Sequence, residues 1–326
     1  MDLKFLIEKI VTQGIESLTQ EEKDVLKSMF NQNGIKDFLS RISIEDIVMK
    51  SEAFHALNIK KLTDEELFNA LTDAISFDVD EFGYKKSFFI PRSASFSIGT
   101  KFYRIRKFVD DDVDLPLKTM SIEQDAWNAP EKNCNIGRLN KDGESLLYTS
   151  LQSPNICVEE MNIKDGDKFC LIVYEGRKEI SAILIDKWQD DQQFSNEENL
   201  KMRMITNILI DSFLSVVDKG TKFLYRLSER IAKDYYDLPR DCQDAWCYPS
   251  VAAKQGYNCC FRPEVAKTVL NLIGVQVCSV NRMEENYCYK CDCILVWNKD
   301  KEGYDYYRVD SPECHHLFPE IVINKA

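Results

Sequence analysis

Residues Gly137 to Gly166 read GRLNKDGESLLYTSLQSPNICVEEMNIKDG. Arg138 and Asn140 flank a single residue, and Gly143 punctuates the turn that follows. A short apolar run ends in Tyr148. Ser153-Pro154 then opens a helical turn that carries Glu159 and Glu160, since Pro suits the first helical position. A guanidinium, an aromatic ring and a carboxylate are thus strung along one strand–turn–helix unit. The guanidinium fork matches phosphate oxygens. The carboxylate suits a centre where positive charge develops.

Outward from this unit the pattern is mixed. Phe102-Tyr103-Arg104-Ile105-Arg106 alternates as a strand does, and Phe169 to Tyr174 is a continuous apolar run of the kind a fully buried strand requires. Ile180–Ile185, Trp246–Tyr248 and Asn258–Phe261 are further strands. Residues 196 to 218 form one long amphipathic helix with Leu200, Ile205, Leu209, Phe213 and Val216 on its apolar positions, and a second helix covers Lys222 to Lys233. The tail, 276 to 324, alternates and is rich in aromatic residues, with a hairpin at Asn298 to Gly303. Residues 1 to about 80 read as helical. Thr19 with Glu22 and Thr63 with Glu66 are capping boxes, Ser43 with Asp46 is a weaker start signal, and Leu67, Leu71 and Ile75 recur at helical spacing. Residues 88 to 100 form the junction. The organisation expected is a helical extension, 1–90, followed by a main domain, 91–326, in an α+β fold.

Three ordered blocks resemble the RES domain family. The first is Gly137-Arg138-Leu139-Asn140, Gly143, Tyr148, Ser153-Pro154 and a helix with Glu. The second is Asp244 to Val251, which contains Tyr248-Pro249-Ser250, followed by Gly256-Tyr257-Asn258. The third, weaker, is Phe102-Tyr103-Arg104-Ile105. The resemblance covers roughly residues 100 to 265. It implies an ADP-ribosyltransferase-like split β-sheet core flanked by helices. It also implies an enzyme that cleaves NAD, its substrate, at the nicotinamide–ribose bond: an NAD glycohydrolase or an NAD phosphorylase, with water or phosphate as acceptor. The family's setting is a bacterial toxin neutralised by an antitoxin or immunity protein. The site residues implied are Glu160, Arg138, Tyr148 and Ser250 for catalysis, with Arg104, Asn140 and Asn258 holding the ligand. Arg138 and Arg104 would anchor the pyrophosphate, while Tyr148 and Ser250 would fix the nicotinamide-ribose end.

The choice between the adjacent carboxylates rests on spacing within the family pattern. Neighbours on a helix point about 100° apart, so Glu159 and Glu160 do not share one site. The family's Glu lies six residues after the Pro and six before a Gly, and Pro154 and Gly166 both select Glu160. Counting from Tyr148 favours Glu159 instead, because this chain has one extra residue before Ser153. Two landmarks outweigh one.

Composition narrows the classes. The net charge of −12 argues against a protein that tracks nucleic-acid phosphates. No segment reaches the roughly 20 apolar residues that span a bilayer, and the charged start lacks a signal-peptide core. The expectation is a cytoplasmic protein whose 12 cysteines are free thiols. Only His55, His315 and His316 are present, which leaves Ser250 without a histidine nearby in sequence and makes a Ser-His-Asp hydrolase a poor reading.

Two rivals stay open. One is transfer of ADP-ribose to a macromolecule. The other is a non-catalytic interaction module whose tail binds zinc through Cys288, Cys291, Cys293, Cys314, His315 and His316. Against zinc, Cys288 to Cys293 lies in a strand-like run, where small apolar cysteines suffice. The helical extension carries no cluster of chemistry-bearing residues and is expected to govern stability, homo-oligomer formation or access to the pocket.

Overall fold

The computed structural model describes residues 9, 17–22, 32–78, 85–87, 89–108, 114–218, 220–283 and 286–322. The chain forms two compact units, one of Met1–Ile90 with Lys187–Ser212 and one of Pro91–Asp186 with Phe213–Ala326. Of the span 91–326 read as one domain, Lys187–Ser212 therefore lies in the first unit.

The first unit holds helices Gln32–Arg41, Ile44–His55 and Asp64–Ala74, together with most of the helix Asn196–Phe213. Each cap signal in the sequence is used. The Glu66 N–H donates to Thr63 Oγ1 at 3.2 Å while the Thr63 N–H donates to the Glu66 carboxylate at 2.8 Å. Ser43 with Asp46 and Thr19 with Glu22 repeat that exchange. These bonds satisfy amide groups that a helix start leaves without partners. Leu67, Leu71 and Ile75 are buried, as are Ile205 and Leu209. The extension is not all-helical, however. Two short antiparallel strands, β1 (Ser76–Asp78) and β2 (Lys85–Ser87), follow the third helix, and Phe77 of β1 packs edge-on against Phe38 with centroids 6.1 Å apart. The long helix also ends before residue 218: it stops at Phe213, and Val216 is 76% exposed.

The second unit is built on a ten-stranded mixed sheet of β3 (Arg92–Phe96), β4 (Lys101–Lys107), β5 (Leu147–Leu151), β6 (Lys168–Gly176), β7 (Ile180–Leu184), β8 (Ala245–Pro249), β9 (Tyr257–Phe261), β10 (Leu270–Met283), β11 (Asn286–Asn298) and β12 (Gly303–Arg308). The strand order is β12-β11-β10-β6-β4-β5-β9-β8-β7-β3, and among the described residues only the β7–β8 pair is parallel. The apolar run of β6 is explained by its place near the middle. Phe169, Leu171 and Val173 enter one core cluster while Cys170, Ile172 and Tyr174 enter the other, so both faces are covered. Helices Pro154–Glu160, Leu224–Tyr235, Pro263–Val269 and Pro312–Leu317 flank the sheet. The fold is thus mixed α+β with a large mixed sheet. No helix among the described residues is long and apolar enough to cross a membrane.

Candidate functional site

The sheet opens at one place. β4 and β5 share only two residue pairs, Phe102 with Leu151 and Tyr103 with Ser150. Beyond Tyr103, β4 stays paired with β6 alone, while β5 stays paired with β9. The gap between the diverging strands is spanned by a side chain, Arg104, whose Nη1 donates to the Tyr148 carbonyl at 3.4 Å. A pocket of about 400 Å3 lies here, within the usual range of about 300–1,000 Å3 for small-molecule sites. Arg104, Arg138, Asn140, Tyr148, Glu160 and Asn258 line it. Ser250 lies behind them and joins through Glu160.

The turn at Gly137–Asn140 forms one wall, and its polar groups are bound internally. The Gly137 N–H donates to the Asn140 carbonyl at 3.0 Å. Tyr148 accepts from the Leu139 N–H at 3.0 Å and donates to Asn140 Oδ1 at 2.8 Å. Asn140 Nδ2 donates to the carbonyls of Asn135 and Lys141 at 2.9 and 2.8 Å. A Cβ on Gly137 would sit 2.5 Å from Asn140 Oδ1 and 3.2 Å from the Tyr148 hydroxyl, so only glycine fits. Burial holds the Tyr148 phenol well above its ordinary pKa. Its hydroxyl is thus engaged within the turn by two bonds.

The opposite wall carries Glu160, at the end of the helix Pro154–Glu160. Ser250 Oγ donates to Glu160 Oε1 at 2.6 Å and Asn258 Nδ2 donates to the same oxygen at 2.7 Å. Among the described residues Oε2 has no hydrogen-bond partner. Ser250 is buried, and its oxygen accepts from the Ala253 N–H at 3.0 Å, which fixes its direction. Asn258 is buried on β9. Gly256, at φ +68°, lets this loop approach the helix, since a Cβ there would meet Ile156 Cδ1 at 2.5 Å. The helix is seated by Cys157, whose thiol donates to the Tyr103 carbonyl at 3.1 Å and lies 2.9 Å from Ser150 Oγ. Burial pushes that thiol up to about 11.

Glu159 has a separate fate. It accepts from the Tyr287 hydroxyl, and Arg282 Nη2 lies 3.4 Å from its Oε1. The two glutamates point to different partners, and Glu160 is the one at the pocket.

The two arginines differ as well. Arg138 donates to the carbonyls of Phe213 and Ser215, where the long helix ends, and its guanidinium sits over the rings of Phe213 and Tyr225 at 5.6 and 5.9 Å. A cation there meets the negative end of the helix dipole. Arg104 makes one weak bond, and its buried Nε has no partner among the described residues. Arg104 is therefore the freer of the two to meet an anion.

Asn135, Met161, Tyr225 and Tyr248 also line the pocket, although the sequence reading gave none of them a role at the site and named Tyr248 only as part of a motif. Tyr248 precedes Pro249-Ser250 directly, and Cys157 sits three residues before Glu160, the spacing that shares a helix face. Both had a local signal. Tyr225 and Asn135 had none.

The cysteine-rich tail does not converge on one point. Asp292 is the extra residue of a bulge in β11, where Val277 pairs with Cys293 and Cys278 with Cys291. The bulge sends Cys291 and Cys293 into opposite core clusters. Among the described residues no group of three or more metal-ligating side chains is placed to hold an ion. All twelve cysteines are free thiols.

Comparison with family models, curated proteins and solved structures finds no match to this chain.

Proposed function

We propose that this protein cleaves NAD at the nicotinamide–ribose bond, with water or inorganic phosphate as acceptor, on an ADP-ribosyltransferase-like split sheet of the RES type. The observation that carries the reading is the Glu160 carboxylate. One of its oxygens is clamped by Ser250 and Asn258, and the other is left open at a pocket that also holds Arg104 and Arg138. The divergence of β4 from β5, which opens the pocket, supports the split-sheet reading.

The chemistry asks for this set. The nicotinamide ring of NAD is already cationic, so the N–C1′ bond breaks with its electron pair going to nitrogen, and no strong general acid is needed. The ribose is left oxocarbenium-like. A fixed carboxylate stabilises that charge without reorganising at the moment of reaction. Water then closes the C1′ bond and loses a proton, or phosphate attacks directly. Arg104, with Arg138 beside it, neutralises the pyrophosphate. The aromatic rings of Tyr148, Tyr225 and Tyr248 supply apolar surface for the nicotinamide and ribose. A cytoplasmic setting and an antitoxin or immunity protein as partner belong to the same reading.

The test is to incubate the pure protein with NAD, with and without phosphate, and to resolve the products by chromatography. Release of nicotinamide with ADP-ribose, or with its 1″-phosphate when phosphate is present, is expected. Unchanged NAD sinks the reading. A mass increase on an added macromolecule would replace hydrolysis by ADP-ribose transfer.

A further inference from the structure

A second cavity, also of about 400 Å3, opens in the same unit and shares no lining residue with the first. Its core-facing wall is mostly different too, although Val296 packs against the cluster that also borders the Glu160 pocket. Trp127 and Leu270 on its wall enter one core cluster, whereas Ile105 and Cys157 of the Glu160 pocket enter the other. The chain comes to it at five points: the short helical turn Glu123–Ala126 with Trp127 after it, the residue after β6 at Arg177, the helix at Lys267, the start of β10, and the end of β11 with the turn at Lys299.

Its charges are unusual for this chain. Arg177, Lys267 and Lys299 are all exposed on its rim, and among the described residues none of them makes an ion pair, although Lys267 Nζ donates to Gln124 Oε1 at 3.0 Å. Glu123 is the one carboxylate among the lining residues. The chain as a whole carries −12, so partners for cations are plentiful; the neighbouring Lys178 pairs with Asp244 at 3.2 Å. Three cations gathered at one concavity repel one another, and an anion between them removes that cost. Arg177 is also set in place beforehand. Its Nε and Nη2 donate to the carbonyls of Thr268 and Lys267 at 2.6 and 3.0 Å, and among the described residues Nη1 has no partner.

The floor is aromatic and apolar. Trp297 is half-buried, braced edge-on by Tyr304 with centroids 5.2 Å apart. Lys267 Nζ stands 5.9 Å above the ring of Trp127, and Leu270, Leu272 and Val296 complete the surface. A flat ring stacks on a fixed indole in a way that tolerates many bases, while a phosphate takes the cationic rim.

We propose that this cavity is a second binding site, for a mononucleotide, with the base against Trp297 and the phosphate between Arg177, Lys267 and Lys299. The proposal stands whether or not the Glu160 pocket cleaves NAD. A single-stranded nucleic acid is the weaker occupant, because the net charge of −12 repels a long polyanion.

The experiment is calorimetric titration of the full chain with AMP, alongside tryptophan fluorescence, with adenosine, inorganic phosphate and an oligothymidylate as parallel probes. AMP is expected to bind and to quench fluorescence, and adenosine and phosphate each to bind more weakly. Lys267→Ala/Lys299→Ala is expected to weaken AMP by about tenfold or more, and Trp297→Leu to weaken AMP and adenosine alike. Arg138→Ala is expected to leave AMP binding at this site intact. Both lysines are exposed, so their truncation spares the core, and circular dichroism checks that the fold persists. Three results overturn the proposal: no binding at millimolar AMP, binding that survives the double lysine variant but is lost in Arg138→Ala, or tighter binding of the oligonucleotide through the same residues.

Discussion

The two walls of the Glu160 pocket hold their polar groups in opposite ways. On the turn side, Gly137, Leu139, Asn140 and Tyr148 bind one another, and the Tyr148 hydroxyl both donates and accepts within the loop. On the helix side, Glu160 is held through one oxygen and keeps the other open. The turn is explained by its own geometry. The Glu160 clamp is built across elements instead, with two buried polar side chains from β9 and the β8–β9 loop aimed at one carboxylate oxygen. One motif thus contains a wall closed on itself and a wall that holds a carboxylate at the pocket.

The largest effect should come from the helix side. Glu160→Gln keeps the shape and the Ser250 bond but removes the charge, so NAD cleavage should fall by about 100-fold or more, with an unchanged melting temperature. Glu159→Gln, at a side chain whose polar partners among the described residues are Arg282 and Tyr287, should change the rate by no more than a few-fold. Rates measured on both variants decide the matter: full activity in Glu160→Gln would remove the carboxylate from the reaction.

Arg138 sits between the two cases. If it meets the pyrophosphate, that contact exists in the ground state and the transition state alike, and its loss appears in KM. Its bonds to the carbonyls of Phe213 and Ser215 add a structural part. Arg138→Ala should raise KM by about tenfold and also lower the denaturation midpoint. A fall confined to kcat would place Arg138 at the reacting centre.

The turn side should respond in stability first. Tyr148→Phe leaves the Leu139 N–H and Asn140 Oδ1 without partners in a buried loop, at a cost of about 1–3 kcal/mol. The change in kcat at a temperature where the variant is fully folded should be small. A large loss of kcat with no loss of stability would instead put the hydroxyl on the substrate and erase the contrast between the walls.

Spacing carried the site further than the fold. Pro154, Gly166 and the Tyr248-Pro249-Ser250 block are local landmarks of the RES-like pattern, and that resemblance selected Glu160, Ser250 and Asn258; the fold brings Ser250 and Asn258 to 2.6 and 2.7 Å from Glu160 Oε1. Caps and the β6 run were legible for the same reason: each depends on a few adjacent residues. Strand order was not. β6 lies between β4 and β10, and nothing in the pattern of any of the three names its neighbours. Amphipathic spacing showed that residues 196 onward have a buried face, but not which part of the chain covers it, so the place of Lys187–Ser212 in the first unit was out of reach. Tyr225 enters the pocket from a helix whose own sequence reads only as amphipathic, and β1 and β2 are too short to show a period.

The smallest effect concerns a third glutamate, on the outer side of the turn wall. Glu229 is 2% exposed, and Lys141, the residue after Asn140, lies 4.0 Å from its Oε1. Burial raises its pKa above the ordinary glutamate value, with Lys141 and Lys233 opposing that shift only in part. The sign follows from proton linkage. The folded state binds the proton more tightly than the unfolded chain, so the stability this group contributes is complete below the unfolded pKa and is lost as pH rises through the folded one. At neutral pH the ionised carboxylate is therefore a net burden on the fold. Glu229→Gln keeps the size and stays neutral, so it should raise the urea midpoint slightly at pH 7, with the gain shrinking as the pH falls toward about 4. Urea titrations of the two proteins at a series of pH values measure this directly. A variant that is less stable at pH 7 would mean that the ion pair with Lys141 outweighs burial, and that the turn wall is braced from outside by charge as well as from within by Tyr148.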